Sequence, residues 1–201
     1  MKAVLLSIQT EWIEKIVSGQ KTIEVRKTAP KCDVPFKCYI YCCKAKSQWR
    51  YSNYEGAYEN SKGEVVYAQQ HIIGEFICDK LFLLHPYTYD RGSADLERRK
   101  FIQTFEGSSK ENEILAATCL TQDKMFDYIG ADNYGYGWHI SDLKIYDKPK
   151  ELREFFKPCP TKEKGDCFDC DCLADNDYGG ICTNNLTRPP QSWQYVEKED
   201  E

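Results

Sequence analysis

Three charged side chains of different types lie close together near the start of the chain, at Lys21, Glu24 and Arg26 within the segment 18–27. Because side chains alternate between the two faces of a strand, we expect Thr22, Glu24 and Arg26 to share one face and Lys21 to lie on the other. An acid and a base two residues apart, with a lysine where the strand begins, form a compact polar group. The alternative is an edge strand whose charged face is solvated.

The chemistry that this group offers follows from its side-chain types. Arg26 presents a planar fork that suits a phosphate or the edge of a base. Lys21 presents a point charge, or a general base where it is desolvated. Glu24 can orient either cation or accept a hydrogen bond from the exocyclic amine of a base.

A second candidate carboxylate, Glu75, directly follows Gly74 in a strand predicted over 71–79. A glycine inside a strand indicates a bulge or a close backbone approach, which often re-aims the neighbouring side chain. Alternation places Glu75 with Ile73 and Ile77. A carboxylate among apolar side chains is either partnered or functional, and both interpretations stay open here.

The segment 158–184 is rich in cysteine and is interleaved with acidic residues. Its five thiols are Cys159, Cys167, Cys170, Cys172 and Cys182. Four thiolates can hold Zn²⁺ tetrahedrally without redox chemistry, so the segment predicts a structural zinc site. The pattern lacks two cleanly spaced C-x-x-C pairs, and metal-free reduced thiols are the alternative.

The overall composition limits the classes of protein to consider. The 201 residues carry a net charge of −5, which argues against a general binder that neutralises nucleic-acid backbones. The segment 1–50 nevertheless holds ten Lys or Arg against four Asp or Glu, and can form a local basic patch. No apolar run is long enough to span a membrane, and the N-terminus does not read as an export signal, so we expect a cytoplasmic protein.

Hydrophobic periodicity and turn residues predict the remaining elements. The predicted strands cover 3–8, 36–43, 138–146 and part of 188–196, and the predicted helices follow Thr10 as far as Gly19 and cover Gln122–Ile129 and 147–156. The segment 85–135 is predicted to be a helical insertion. Thr121 is the expected N-cap of the helix that ends before Gly130. A single domain over 1–201 accommodates these elements.

The spacing Gly-x-Lys-x-x-Glu-x-Arg over residues 19–26 resembles the GxKxxExR motif of ASCH domains. The segments 7–8, 138–143 and 188–193 also resemble bacterial and phage members of this family. The resemblance implies an α+β fold: a PUA-like small mixed β-barrel flanked by helices, here with a helical insertion and a cysteine-rich C-terminal excursion.

The same resemblance implies RNA, a nucleoside or a nucleotide as partner, bound in a cleft near the motif strand. The implied nucleic-acid-binding residues are Lys21, Glu24, Arg26, Trp12, Trp138, His139 and Arg188. Aromatic rings such as those of Trp12 and Trp138 can stack on bases of single-stranded RNA. The alternative for each tryptophan is core packing, and for His139 it is a structural histidine.

An enzymatic branch of the family hydrolyses the amide of N4-acetylcytidine with a lysine, a threonine nucleophile and a glutamate. Lys21 matches that lysine and Glu75 is a possible match for the glutamate, whereas Glu24 stands where the branch has its threonine. The candidate catalytic residues are therefore Lys21, Glu24 and Glu75, with Thr22 two positions from the nucleophile. Other members resemble ribonucleases, and a third alternative is a protein-interaction or regulatory domain.

Overall fold

The computed structural model describes residues 3–46, 56–89, 99–104, 108–130, 133–158 and 184–198. The strands are β1 (Ala3–Ile8), β2 (Ile23–Arg26), β3 (Phe36–Cys42), β4 (Tyr58–Glu59), β5 (Val65–Val66), β6 (Ile72–Cys78), β7 (Leu81–Tyr89), β8 (Arg99–Thr104), β9 (Gly135–His139), β10 (Ser141–Lys150), β11 (Phe155–Phe156) and β12 (Trp193–Lys198). The helices are α1 (Thr10–Val17), α2 (Ser108–Ala117) and α3 (Gln122–Ile129). Within these ranges, no helix has the length and apolar character needed to cross a membrane.

The chain forms two compact units, each assembled from segments that are far apart in the sequence. The first unit consists of Met1–Thr10, Lys37–Glu75 and Ile145–Glu201. The second unit consists of Glu11–Phe36 and Phe76–Lys144. Neither unit is a simple half of the chain, since both depend on contacts between residues that are distant in sequence.

The first unit is built on a sheet whose strands follow the order β10-β6-β3-β1-β12-β11. Strand β1 pairs in parallel with β3, with Ala3 opposite Lys37, and antiparallel with β12, with Leu6 opposite Trp193. All six residues of β1 are buried. A continuous apolar run is expected for a strand that has a neighbour on each side and is covered on both faces.

The second unit contains a four-stranded antiparallel sheet in the order β2-β9-β7-β8. Its apolar core consists of Ile23, Val25, Phe82, Leu84, Ile114, Leu115, Met125, Phe126 and Ile129. Strand β2 lies at the edge of this sheet and approaches β9 closely at Gly137. A Cβ atom at Gly137 would lie 2.9 Å from Cγ2 of Ile23, so a larger residue there would push β2 away.

The capping residues predicted from the sequence end two of the helices as expected. Thr121 is the N-cap of α3 and accepts a hydrogen bond from the backbone N–H of Lys124. Gly130 follows α3 with a φ of +92°, and Gly19 follows α1 with a φ of +73°. Both glycines adopt a conformation that residues with a Cβ atom rarely enter.

The prediction of a helical insertion over 85–135 is wrong for its first part. Strand β7 continues to Tyr89 and pairs antiparallel with β8, with His85 opposite Gln103. Helices α2 and α3 occupy only the second part. The charged composition of 94–105 concealed β8, because a strand at the edge of a sheet can carry charged side chains without losing its pairing.

Two other elements differ from the predictions. The strand predicted over 138–146 is divided at Ile140 into β9 and β10. The helix predicted over 147–156 does not form, because β10 continues through Pro149 to Lys150 and a 3₁₀ turn follows at Leu152–Glu154. Strand β10 is the edge strand of its sheet, where the missing N–H of a proline costs no ladder bond.

Candidate functional site

Glu24 pairs with both Lys21 and Arg26 in the second unit. Glu24 Oε2 lies 3.3 Å from Lys21 Nζ, and Glu24 Oε1 lies 3.0 Å from Arg26 Nη2. The exposed fractions of the three side chains are 2% for the lysine, 10% for the glutamate and 7% for the arginine. We call these three residues the ion triad. Its burial rules out the alternative of an edge strand with a solvated charged face.

The ammonium group of Lys21 donates hydrogen bonds to two carbonyl oxygens in addition to its pair with Glu24. These acceptors are Ile23 O at 2.9 Å and Thr118 O at 2.7 Å. A carbonyl oxygen can only accept, so Lys21 acts in this group as a donor, through two hydrogen bonds and one ion pair. Lys21 therefore fixes the position of Glu24 and ties β2 to the end of α2.

The prediction that Lys21 and Glu24 lie on opposite faces is wrong because Lys21 precedes β2. The backbone N–H of Lys21 donates to Lys15 O, and the N–H of Thr22 donates to Ala117 O. These bonds lead the chain out of α1 before it enters the sheet at Ile23. Strand alternation does not apply to a residue outside the strand, and the long lysine side chain is able to reach Glu24.

Arg26 and Lys27 both contact Tyr128 of α3. The Arg26 guanidinium donates a hydrogen bond to the Tyr128 hydroxyl, and Lys27 Nζ lies 5.3 Å from the centre of the Tyr128 ring. Loss of solvent around the hydroxyl raises the pKa of Tyr128, and the arginine partly offsets this increase. The residue as a whole remains 38% exposed, so part of its side chain is accessible to solvent.

Trp12 lies next to Lys21, the other cation of the ion triad. Lys21 Nζ lies 5.2 Å from the centre of the indole ring, and Lys15 Nζ lies 5.3 Å from it. Trp12 is half-buried, unlike Ile13 and Ile16 on the same helix, which are fully buried. Two cations within about 6 Å of an indole ring are in the range of cation–π attraction.

Glu75 lies in the first unit and has partners of its own. Its Oε1 lies 3.3 Å from Lys37 Nζ, and its Oε2 accepts a hydrogen bond of 2.6 Å from the Tyr146 hydroxyl. Burial, and then the neighbouring Glu75 carboxylate, raise the pKa of Tyr146. The sequence left open whether Glu75 is partnered or functional, and the structure shows that it is partnered by Lys37 and Tyr146. Lys21, the other residue of the predicted catalytic set, belongs to the second unit.

Trp138, His139 and Arg188 differ widely in their surroundings. Trp138 is completely buried and packs edge-to-face against Phe36, with their ring centres 5.4 Å apart. This is the core packing that the sequence left as an alternative, and a buried ring has no face on which a base can stack. His139 Nδ1 lies 2.6 Å from an oxygen of Asp79, at a site that is half exposed. Arg188 is exposed in the first unit.

Tyr128 and Thr118 are part of the polar site but were not predicted from the sequence. The carbonyl of Thr118 is a backbone group, and nothing in the sequence marks a particular backbone carbonyl. Tyr128 is a part-exposed residue of α3, three positions after the buried Met125 and next to the buried Ile129. A large aromatic residue at the margin of the apolar side of a helix is a signal that could have identified Tyr128 as a candidate.

The zinc ligands predicted at Cys159, Cys167, Cys170, Cys172 and Cys182 lie outside the described residues, and the zinc site stays a prediction. Within the described ranges, no group of three or more His, Cys, Asp or Glu side chains is arranged to hold a metal ion.

Comparison with known families supports the resemblance in the motif. The family model of the ASCH domain matches residues 6–76, which include the whole ion triad and Glu75. The segment 6–76 is therefore similar to the ASCH domain. No curated protein matches this chain.

Solved structures agree with the predicted fold of this chain. The crystal structure of ASCH from Zymomonas mobilis is similar with a TM-score of 0.51 and 15% identity, covering 98% of this chain and 90% of that one. A point mutant of the same protein gives a TM-score of 0.51 with 14% identity, over 99% and 93% of the two chains. At these identities the likeness shows the fold alone, and it confirms the predicted PUA-like α+β fold.

Proposed function

We propose that this protein binds RNA or a nucleotide through the ion triad of Lys21, Glu24 and Arg26. The observation that supports the proposal is the buried triad itself, with two cations for one anion and a part-exposed aromatic ring beside each cation. A group with an excess of one positive charge attracts a phosphate. Part-exposed rings beside it offer surfaces on which bases can stack.

Each member of the triad has a different part in this proposal. Lys21 is anchored by hydrogen bonds to two backbone carbonyls, holds Glu24 in place through their ion pair, and contributes positive charge without needing to touch the ligand. Arg26 offers the planar fork that suits a phosphate or a base edge. Glu24, the most exposed of the three, can accept a hydrogen bond from the exocyclic amine of a base.

The energetics of buried charges support a role beyond stability. Removing charged groups from water is costly, and well-packed apolar residues often stabilise such a position as well or better. A buried triad is therefore weak as a stabilising device. We infer that the triad serves to bind a ligand, in agreement with the RNA or nucleotide partner that the ASCH resemblance implies.

Hydrolysis of N4-acetylcytidine is less well supported by the geometry. Glu24 stands in place of the hydroxyl nucleophile, and its two oxygens already accept from Lys21 and Arg26. A carboxylate whose two oxygens pair with cations is a poor nucleophile for an amide carbon. Glu75, the possible third member, pairs with Lys37 and Tyr146 in the first unit.

Binding of short single-stranded RNA across a series of salt concentrations tests the proposal. We expect Arg26→Gln to weaken affinity by about 10-fold and to reduce the slope against salt by about one, because one phosphate contact is lost. Arg26→Lys should recover part of the affinity, since it keeps the charge but not the fork. Circular dichroism of each variant separates loss of binding from loss of fold.

Lys37→Gln is the matched control because Lys37 also pairs with a glutamate but belongs to the first unit. We expect it to bind RNA as the wild type does. A folded wild-type protein without measurable affinity for RNA or nucleotides would refute the proposal. Turnover of N4-acetylcytidine by the wild type, abolished in Lys21→Ala, would favour the hydrolase instead.

A further inference from the structure

A part-exposed aromatic ring lies beside each cation of the ion triad, Trp12 beside Lys21 and Tyr128 beside Arg26, and neither ring belongs to the motif. We propose that Trp12 and Tyr128 are the two ends of one stacking surface, whose ligand is a single-stranded oligonucleotide rather than a mononucleotide. This inference rests on the function proposed above and specifies its substrate class.

The Tyr128 end combines a ring with two cations. The hydroxyl is held by Arg26, while Lys27 Nζ lies 5.3 Å from the ring centre. The hydrogen bond fixes the orientation of the ring, which lowers the entropy lost when a base stacks on it. Lys27 is exposed and is placed to meet the phosphate of the same nucleotide.

The core of the second unit does not account for the position of Tyr128. Helix α3 buries Met125, Phe126 and Ile129 on its inner side, and these three residues belong to the apolar core. Tyr128 lies outside this core and is 38% exposed. A large ring that is exposed, oriented by an arginine and flanked by a lysine has the features of a stacking site for a base.

The Trp12 end repeats the same combination with different residues. The indole ring is half-buried on α1 and has Lys15 Nζ at 5.3 Å and Lys21 Nζ at 5.2 Å from its centre. Lys21 beside Trp12 is buried, like Arg26 beside Tyr128. Lys15 is more exposed than Lys21, in the same way that Lys27 is more exposed than Arg26. Each ring therefore has one buried and one surface cation.

The order of these groups indicates the length of the ligand. Trp12 contacts Lys21, both cations of the triad pair with Glu24, and Arg26 binds Tyr128. The triad thus links the two rings through a continuous series of contacts. In this proposal each ring stacks one base, and the two nucleotides are joined by a backbone whose phosphate meets the positive excess of the triad.

The test compares a short oligoadenylate with AMP as probes, in RNA and DNA forms. Tyr128→Leu and Trp12→Leu should each weaken oligonucleotide binding by about 5- to 100-fold, the usual loss for one stacked base. Tyr128→Phe should keep most of the affinity, because the ring remains. AMP should bind more weakly than the oligonucleotide and should be sensitive to one of the two leucine variants at most.

Tyr134→Leu is the control, since Tyr134 is an exposed tyrosine of the same unit that stacks on the His85 ring and is not part of the proposed surface. It should leave affinity unchanged. Equal affinity for AMP and the oligonucleotide, or full affinity in Tyr128→Leu while Arg26→Gln weakens binding, would overturn the inference but leave the proposed function intact. A wild type that binds neither probe would overturn the proposed function itself.

Discussion

Each unit of the molecule contains a glutamate that pairs with a lysine, but the two carboxylates have different surroundings. Glu24 in the second unit is 10% exposed and lies between two cations. Glu75 in the first unit is 21% exposed and lies between one cation and the Tyr146 hydroxyl. The lysine beside Glu24 is 2% exposed, and the lysine beside Glu75 is 36% exposed.

The comparison shows that the same residue pair has different consequences at different depths. Water still solvates Lys37, so the pair with Glu75 costs little to form and contributes little to stability. Water is almost excluded from Lys21 and Arg26, so their charges depend on Glu24 for compensation. The buried group is thus the more costly one to form and the more sensitive to loss of one partner.

The largest effect is expected for Glu24→Ala, which leaves two buried cations without their shared carboxylate. We expect a loss of about 3–5 kcal/mol in the free energy of unfolding, the usual cost of breaking a buried ion pair from one side. Urea denaturation measures this loss. A decrease below about 1 kcal/mol would show that water reaches the triad freely.

A smaller effect is expected for Glu75→Gln, which keeps the shape of the side chain but removes its charge. The hydrogen bond from Tyr146 becomes a neutral one and the pair with Lys37 is lost, so we expect a decrease of about 1–2 kcal/mol. The same denaturation series measures it. A loss as large as that of Glu24→Ala would remove the distinction between the two units.

The smallest effect is expected at the exposed pair of Asp79 and His139. The hydrogen bond from His139 lowers the pKa of Asp79 below its usual value of 3.8. The resulting stability is present above about pH 4 and is lost as the pH falls through the lower folded-state pKa. Because the side chains are 47% and 35% exposed, we expect Asp79→Asn to cost less than about 1 kcal/mol at pH 7.

The pH dependence of unfolding distinguishes the contribution of the Asp79–His139 pair from other effects of the Asp79→Asn substitution. The difference between wild type and Asp79→Asn in urea midpoint should shrink when the pH is lowered from 7 to below about 4, because the unfolded wild-type carboxylate then takes up a proton more readily than the folded one. A difference that stays constant across this range would show that the pair with His139 does not contribute.

Much of the fold could be predicted because local signals agreed with the tertiary structure. The apolar run at Ala3–Ile8 forms the buried strand β1, and Thr121 and Gly130 delimit α3 as the capping rules require. Strand β8 escaped prediction because its charged sequence has no clear period. The helix expected over 147–156 was wrong because edge-strand pairing tolerated Pro149.

The candidate site was predictable in its motif residues but not in its wider surroundings. Spacing placed Lys21, Glu24 and Arg26 in one short segment. Thr118 and Tyr128 join them only through folding, since they lie about a hundred residues further along the chain. Local sequence patterns contain no information about such partners.

The position of β12 has a consequence for synthesis of the chain. Residues 193–198 form an interior strand of the first unit, paired with β1 on one side and β11 on the other. A nascent chain that has not yet released these residues from the ribosome leaves the apolar β1 with an open hydrogen-bonding edge. Such an edge invites association with other chains until β12 pairs with β1.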